Sequence, residues 1–138
     1  MTRERTFLGL GALVFITLGA MFLIAPVYWA TVVDISLPTP MARTDLRATY
    51  GGFDLFFGFF LGLCTLRIDW IRPGLVALGL ALAGFALGRL VSFALEGTAD
   101  RLMIWFCVLE ALGSALSLWF QARMPGSRGD GADRGALS

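Results

Sequence analysis

Three charged side chains set in otherwise apolar stretches are the residues of this chain with the means to do chemistry: Asp54, Arg89 and Glu110. Two carboxyls can serve as acid and base, bind a cation or share a proton. A guanidinium can neutralise either of them, or grip an anion through its fork of donors. What surrounds them narrows the choice. The 138 residues contain no His, so the commonest general base, metal ligand and haem ligand are all missing. There is no Walker loop, dinucleotide fingerprint, Ser-His-Asp set or metal-ligand spacing either. No cofactor and no metal are therefore expected, and an enzyme is the least favoured class. Cys64 and Cys107 form no CxxC pair and fall at opposite depths in the topology below, so both read as small core residues rather than a disulfide.

The elements that must position the three charges are apolar. The chain is 57% hydrophobic, with a mean hydropathy of +0.77, where a soluble domain is about 45–50% apolar. A net charge of +1 leaves no basic surface for nucleic acid. Every basic residue is Arg and none is Lys, as a high-GC bacterial genome would give. The pattern predicts an all-α polytopic membrane protein, four transmembrane helices in an antiparallel bundle over residues 1–122, with helices at about 6–30, 47–66, 73–95 and 102–121. Residues 123–138, polar and Gly-rich, read as a disordered cytoplasmic tail.

The first span is uncharged from Thr6 to Val33, 28 positions and too long for a signal-peptide core. Pro26, Tyr28 and Trp29 mark its far end as an interface. Residues 34–46 carry two prolines and mixed charges and read as a loop, and RIDWIRP (67–73) as a turn in which Pro73 opens the next helix. The later spans cannot reach membrane length without a charge. Leu55–Leu66 alone gives about 18 Å of helix against roughly 30 Å of hydrocarbon, so Asp54 must be inside. Only 15 uncharged residues precede Arg89 in the third span, and Glu110 lies within the fourth. Seven arginines (3, 5, 67, 72, 123, 128 and 134) fall on one side and three (43, 47 and 101) on the other, which puts both termini in the cytoplasm.

With that topology, all three charges lie about 10–12 Å below the outer surface. Their helix faces agree as well. Arg47, Gly51, Asp54, Gly58 and Gly62 follow steps of three and four; so do Phe85, Arg89, Ser92 and Glu96, and Glu110, Gly113, Ser114, Ser117 and Gln121. Arg89 is therefore expected between Asp54 and Glu110, supported by Tyr50 and Ser92, with Arg47 and Glu96 at the rim. Gly51, Gly58, Gly62, Gly84 and Gly88 are expected at helix contacts. Two acids and one Arg leave a negative charge, met either by a proton held between the carboxyls or by Arg47 or Arg101 leaning in. The cluster can fix helix register, bind a ligand or headgroup, or move a proton or ion.

Arg47-Ala48-Thr49-Tyr50-Gly51-Gly52, Gly88-Arg89-Leu90-Val91-Ser92, Glu96-Gly97 and Glu110 resemble the pattern of a family of small bacterial four-helix membrane proteins, domain of unknown function 4345. The likeness runs to about residue 122; Glu96 departs from the more usual Asp of the acid-Gly pair. It implies a topology and a shared polar set, and no activity; the expected location is the bacterial cytoplasmic (inner) membrane. The favoured function is a non-catalytic accessory protein, or a binder of membrane lipid or another amphipathic small molecule. The alternative is an oligomeric proton- or ion-coupled transporter or channel using Asp54 and Glu110. Expected partners are lipid, such a small molecule, another membrane protein or a second copy.

Overall fold

A computed structural model describes residues 2–124, and all regular structure among them is helical. The tail expected over 123–138 falls, from residue 125 onward, outside the described residues. Helix α1 (Thr2–Ile24) is apolar on every side, as a helix surrounded by lipid and protein can be. It stops at Ala25, at φ −129° and ψ 60°, because the residue before a proline is driven out of the helical region. Pro26 then opens a short α2 (Pro26–Val32) from its first position, where no N–H is needed. The single helix expected to residue 30 is thus two helices with a break.

Asp34 closes α2 in the left-handed region (φ 58°). The Ile35 N–H donates back to the Ala30 carbonyl at 2.8 Å. The chain returns as Ile35 and Leu37 cover a small core of Phe22, Ala30 and Leu46. Part of the expected 34–46 loop is helical, α3 (Pro40–Leu46). Thr39 is its cap, accepting from the Ala42 N–H at 3.1 Å, and Pro40 follows at N1.

A π-helical segment, Arg47–Phe53, joins α3 to α4 (Asp54–Leu66) without leaving the helical region. Its cause can be read from the buried positions Leu46, Gly51, Asp54, Gly58 and Leu61. Their intervals are five, three, four and three, and a five-residue step keeps one face inward only if a wide turn absorbs the extra residue. An unbroken α-helix would have turned Arg47 inward with Gly51. The π turn leaves Arg47 exposed instead, its Nε donating to the Leu23 carbonyl at 3.3 Å.

Only Arg67, extended at φ −117° and ψ 121°, separates α4 from α5 (Ile68–Glu96). Pro73 lies within α5 rather than at its start. The missing N–H removes one bond to the Asp69 carbonyl, early enough that the rest of the helix is unaffected. Gly97 ends α5 in the left-handed region (φ 67°), its N–H on the Phe93 carbonyl at 3.1 Å. Asp100 then caps α6 (Arg101–Arg123), its carboxylate accepting from the Leu102 N–H at 2.8 Å. The stretches Arg3–Ile24, Pro40–Leu66, Ile68–Glu96 and Arg101–Arg123 are each long and apolar enough to cross a membrane, as a multi-pass membrane protein requires.

The helices pack as two pairs, α1 with the π segment and α4, and α5 with α6, joined chiefly through α4 and α5. Leu8, Phe15, Leu61, Leu75 and Leu78 form the shared core. In the first pair backbone meets backbone. A methyl group at Gly58 would lie 2.6 Å from Ile16 N and 2.9 Å from the Ala12 carbonyl, and one at Gly51 would lie 3.0 Å from Leu23 Cα. Gly19 is crowded in the same way by Leu55 and Gly51. Gly62, Gly84 and Gly88 are different: nothing lies within 4 Å of where a methyl would go, so they form no helix contact in this chain. The packing glycines that the spacing missed include Gly11, Gly19, Gly74 and Gly79, each of which would crowd a neighbouring helix if it carried a side chain.

Gly58→Ala should therefore lower stability by about 1–3 kcal/mol. Gly84→Ala should leave it unchanged or raise it by up to about 1 kcal/mol. Thermal unfolding of the two variants in one detergent compares them directly.

Candidate functional site

The polar residues inside the bundle fall into two places. On the α5–α6 seam the Arg89 guanidinium meets the Glu110 carboxylate edge to edge. Nε donates to Oε2 and Nη2 to Oε1, both at 2.9 Å. This forked geometry, with two parallel charge-assisted bonds, is the strongest form of the pair. Arg89 Nη1 turns to the Met103 sulfur at 3.1 Å, and the guanidinium carbon stands 5.2 Å from the centre of the Phe106 ring. The aromatic face and the polarisable sulfur both favour a cation in a setting without water. The side chains stay 28% (Arg89) and 14% (Glu110) exposed, so the pair sits at the edge of the seam and not at its centre.

Beside the pair and onward from it, α6 is laced to α5 by small side chains reaching backbone carbonyls. Cys107 Sγ lies 3.7 Å from the Ala86 carbonyl, and the hydroxyls of Ser114 and Ser117 donate to the Gly79 and Leu75 carbonyls at 2.8 Å. At the far end the Gln121 amide oxygen, turned toward Arg72, accepts from Nε at 3.0 Å and Nη2 at 3.1 Å. Small residues let the helices approach, and a hydroxyl in an apolar layer satisfies itself on the nearest carbonyl.

Asp54 belongs to the second place. It begins α4, where the π segment ends, and its own N–H donates to the Gly51 carbonyl. It is 7% exposed, between the buried Gly51 and Gly58 on the face that meets α1. Among the described residues no hydrogen bond or ion pair joins Asp54 to Arg89, Glu110 or any other side chain. The expected three-membered cluster is thus a two-membered pair and a separate acid. One reason is that Arg89 spends its fork on the acid of the helix packed closest to it, α6. Another is that the π turn fixes which residues of 47–54 face inward.

The supporting residues also divide. Tyr50 packs its ring on Phe22, centroids 5.4 Å apart, and is 43% exposed. Ser92 and Glu96 are exposed, and their side chains make no hydrogen bond among the described residues. Met103 and Phe106 were not foreseen, since neither is polar; their positions seven and four residues before Glu110 were the available signal. Cys64 and Cys107 are both buried free thiols. Among the described residues no group of three or more His, Cys, Asp or Glu is gathered as a metal ion would need. Of the surface hollows, one follows Ile16, Ala20, Ile24 and Trp29 and another Phe7, Leu10, Leu116 and Phe120, and neither is lined by Asp54, Arg89 or Glu110.

Arg89→Lys keeps the charge and loses the fork, and should cost about 1–2 kcal/mol. Ser117→Ala should cost about 0.6 kcal/mol, the usual value for a hydrogen bond between membrane helices. Unfolding titrations in mixed micelles measure both.

No curated protein and no solved structure matches the chain. One family model does, described as "Domain of unknown function (DUF4345)", over residues 4–121. That range takes in the whole α5–α6 seam, the π segment and Asp54, and on it the chain belongs to the DUF4345 family.

Proposed function

We propose that this chain is a non-catalytic membrane protein that holds the polar end of a lipid, or of another amphipathic molecule, at the Arg89–Glu110 pair. The observation that carries this reading is the partial exposure of the pair, 28% and 14%, on a seam whose outer neighbours Leu87, Leu90 and Leu109 are themselves exposed. Of the five guanidinium N–H groups, Glu110 takes two and Met103 one. The remaining donors point to headgroup oxygens as their natural partners, since phosphate and carboxylate match the fork. Glu110 keeps the empty site neutral, which lets it stand in the membrane without a ligand.

In this reading the four spans run antiparallel with both termini in the cytoplasm. Contacts that descend α5 (Ala86, Gly79, Leu75) as they ascend α6 (Cys107, Ser114, Ser117) support the hairpin. The excess of arginine at one end, including Arg67 over Trp70 and Arg123 over Trp119, supports the orientation. The all-arginine set of basic residues, as a high-GC bacterial genome gives, supports a bacterial cytoplasmic membrane. An acid–base enzyme finds no support, because Glu110 is engaged by Arg89 and no contact joins it to Asp54.

Native mass spectrometry of the full chain, gently extracted from its own membrane, tests the reading. The companion variant is Arg89→Met/Glu110→Met, which replaces the pair by apolar side chains and should fold. The expected result is a lipid or small molecule retained by the wild type and lost from the folded variant. The same molecule on both proteins, or a stoichiometric protein partner in its place, would overturn it.

A further inference from the structure

The carboxyl of Asp54 is the one feature of the spans that the α5–α6 seam does not use. The residue is 7% exposed, and among the described residues its carboxyl makes no hydrogen bond or ion pair. An ionised carboxylate in so apolar a setting is expensive, because no counter-ion is paired with it. The charged and titratable groups of the surrounding elements offer no relief. Helix α1 is uncharged from Thr6 to its end, and Tyr28 on α2 is exposed against Trp29. On Asp54's own span Arg47 is spent on the Leu23 carbonyl, Tyr50 lies against Phe22, and Cys64 is a buried thiol. On α5, Arg89 is committed to Glu110 of α6, while Asp69, Arg72 and Glu96 belong to its two ends.

A metal ion would not serve. Calcium takes about six to eight oxygens and magnesium a near-ideal octahedron, and no group of three acidic or other metal-ligating residues is assembled among the described residues. A proton needs one carboxyl only. We propose that Asp54 is a proton-binding site of the membrane interior, occupied as a neutral carboxylic acid at the start of α4, beside the glycines that bring this span against α1. This does not rest on ligand binding at Arg89, and either can fail without the other. It narrows any ion-coupled role of this chain to Asp54 and excludes Glu110 from it.

Two measurements on the full chain in detergent test the site. The first is the infrared carbonyl band of a protonated carboxylic acid at neutral pH. The band is expected in the wild type and in Glu110→Gln, and should be lost in the near-isosteric Asp54→Asn. The second is labelling with dicyclohexylcarbodiimide. A carboxylic acid adds across one C=N bond of this apolar reagent, its proton going to nitrogen and its oxygen to the central carbon. Acyl transfer from oxygen to nitrogen then gives a stable N-acylurea with nothing released, so the peptide gains the mass of one whole reagent. The label should fall on the peptide carrying Asp54 and be absent from Asp54→Asn. Absence of the acid band from the wild type, or its removal by Glu110→Gln and not by Asp54→Asn, would overturn the proposal whatever the labelling.

Discussion

A charge inside hydrocarbon must find its counter-charge within the protein, and here Arg89 and Glu110 do so in the tightest form available, a fork at 2.9 Å. Each would be costly alone. Together they are neutral, and they can be neutral only if α5 and α6 lie at one rotation and one depth. The register that the pair sets carries Ser114 and Ser117 onto the Gly79 and Leu75 carbonyls and Cys107 onto the Ala86 carbonyl. The net worth of such a pair lies less in raw stability than in excluding other registers, since an apolar replacement of similar volume can be as stable.

The other helix pair is built differently. Where α1 crosses the π segment and α4, the contacts are between main chains, made possible by Gly19, Gly51 and Gly58. Close backbone approach is a main source of association between helices in lipid, because lipid tails are as apolar as the side chains. It also explains how Asp54 stays buried without an ion pair. Asp54 lies in sequence between Gly51 and Gly58, which bring the chain against α1, and Arg89, engaged by Glu110, is not paired with it. The bundle thus holds one acid by charge and the other by enclosure.

Much of this could be read from the sequence. The spans followed from apolar runs, and the placement of Asp54, Arg89 and Glu110 followed from the shortness of the uncharged stretches around them. Ser114 and Ser117 lay on the expected face of the fourth span. What could not be read is which acid takes Arg89, because equal depth says nothing about which two helices are in closest contact. The π segment was hidden for a related reason. It exists to reconcile Leu46 and Gly51 on one buried face, and that conflict appears only when α1 is in place. Gly84 and Gly88 misled because GxxxG spacing marks a surface able to pack closely, while only the other helices decide whether it does. Met103 and Phe106 carried no polar signal, so a reading led by charges passed over them.

The claim on which the rest turns is that Arg89 is coupled to Glu110 and not to Asp54. Two double-mutant cycles for unfolding in mixed micelles measure it, one combining Arg89→Met with Glu110→Gln and the other combining Arg89→Met with Asp54→Asn. A coupling energy of about 1–3 kcal/mol is expected in the first cycle and one within about 0.5 kcal/mol of zero in the second. A larger coupling of Arg89 to Asp54 than to Glu110 would contradict the account.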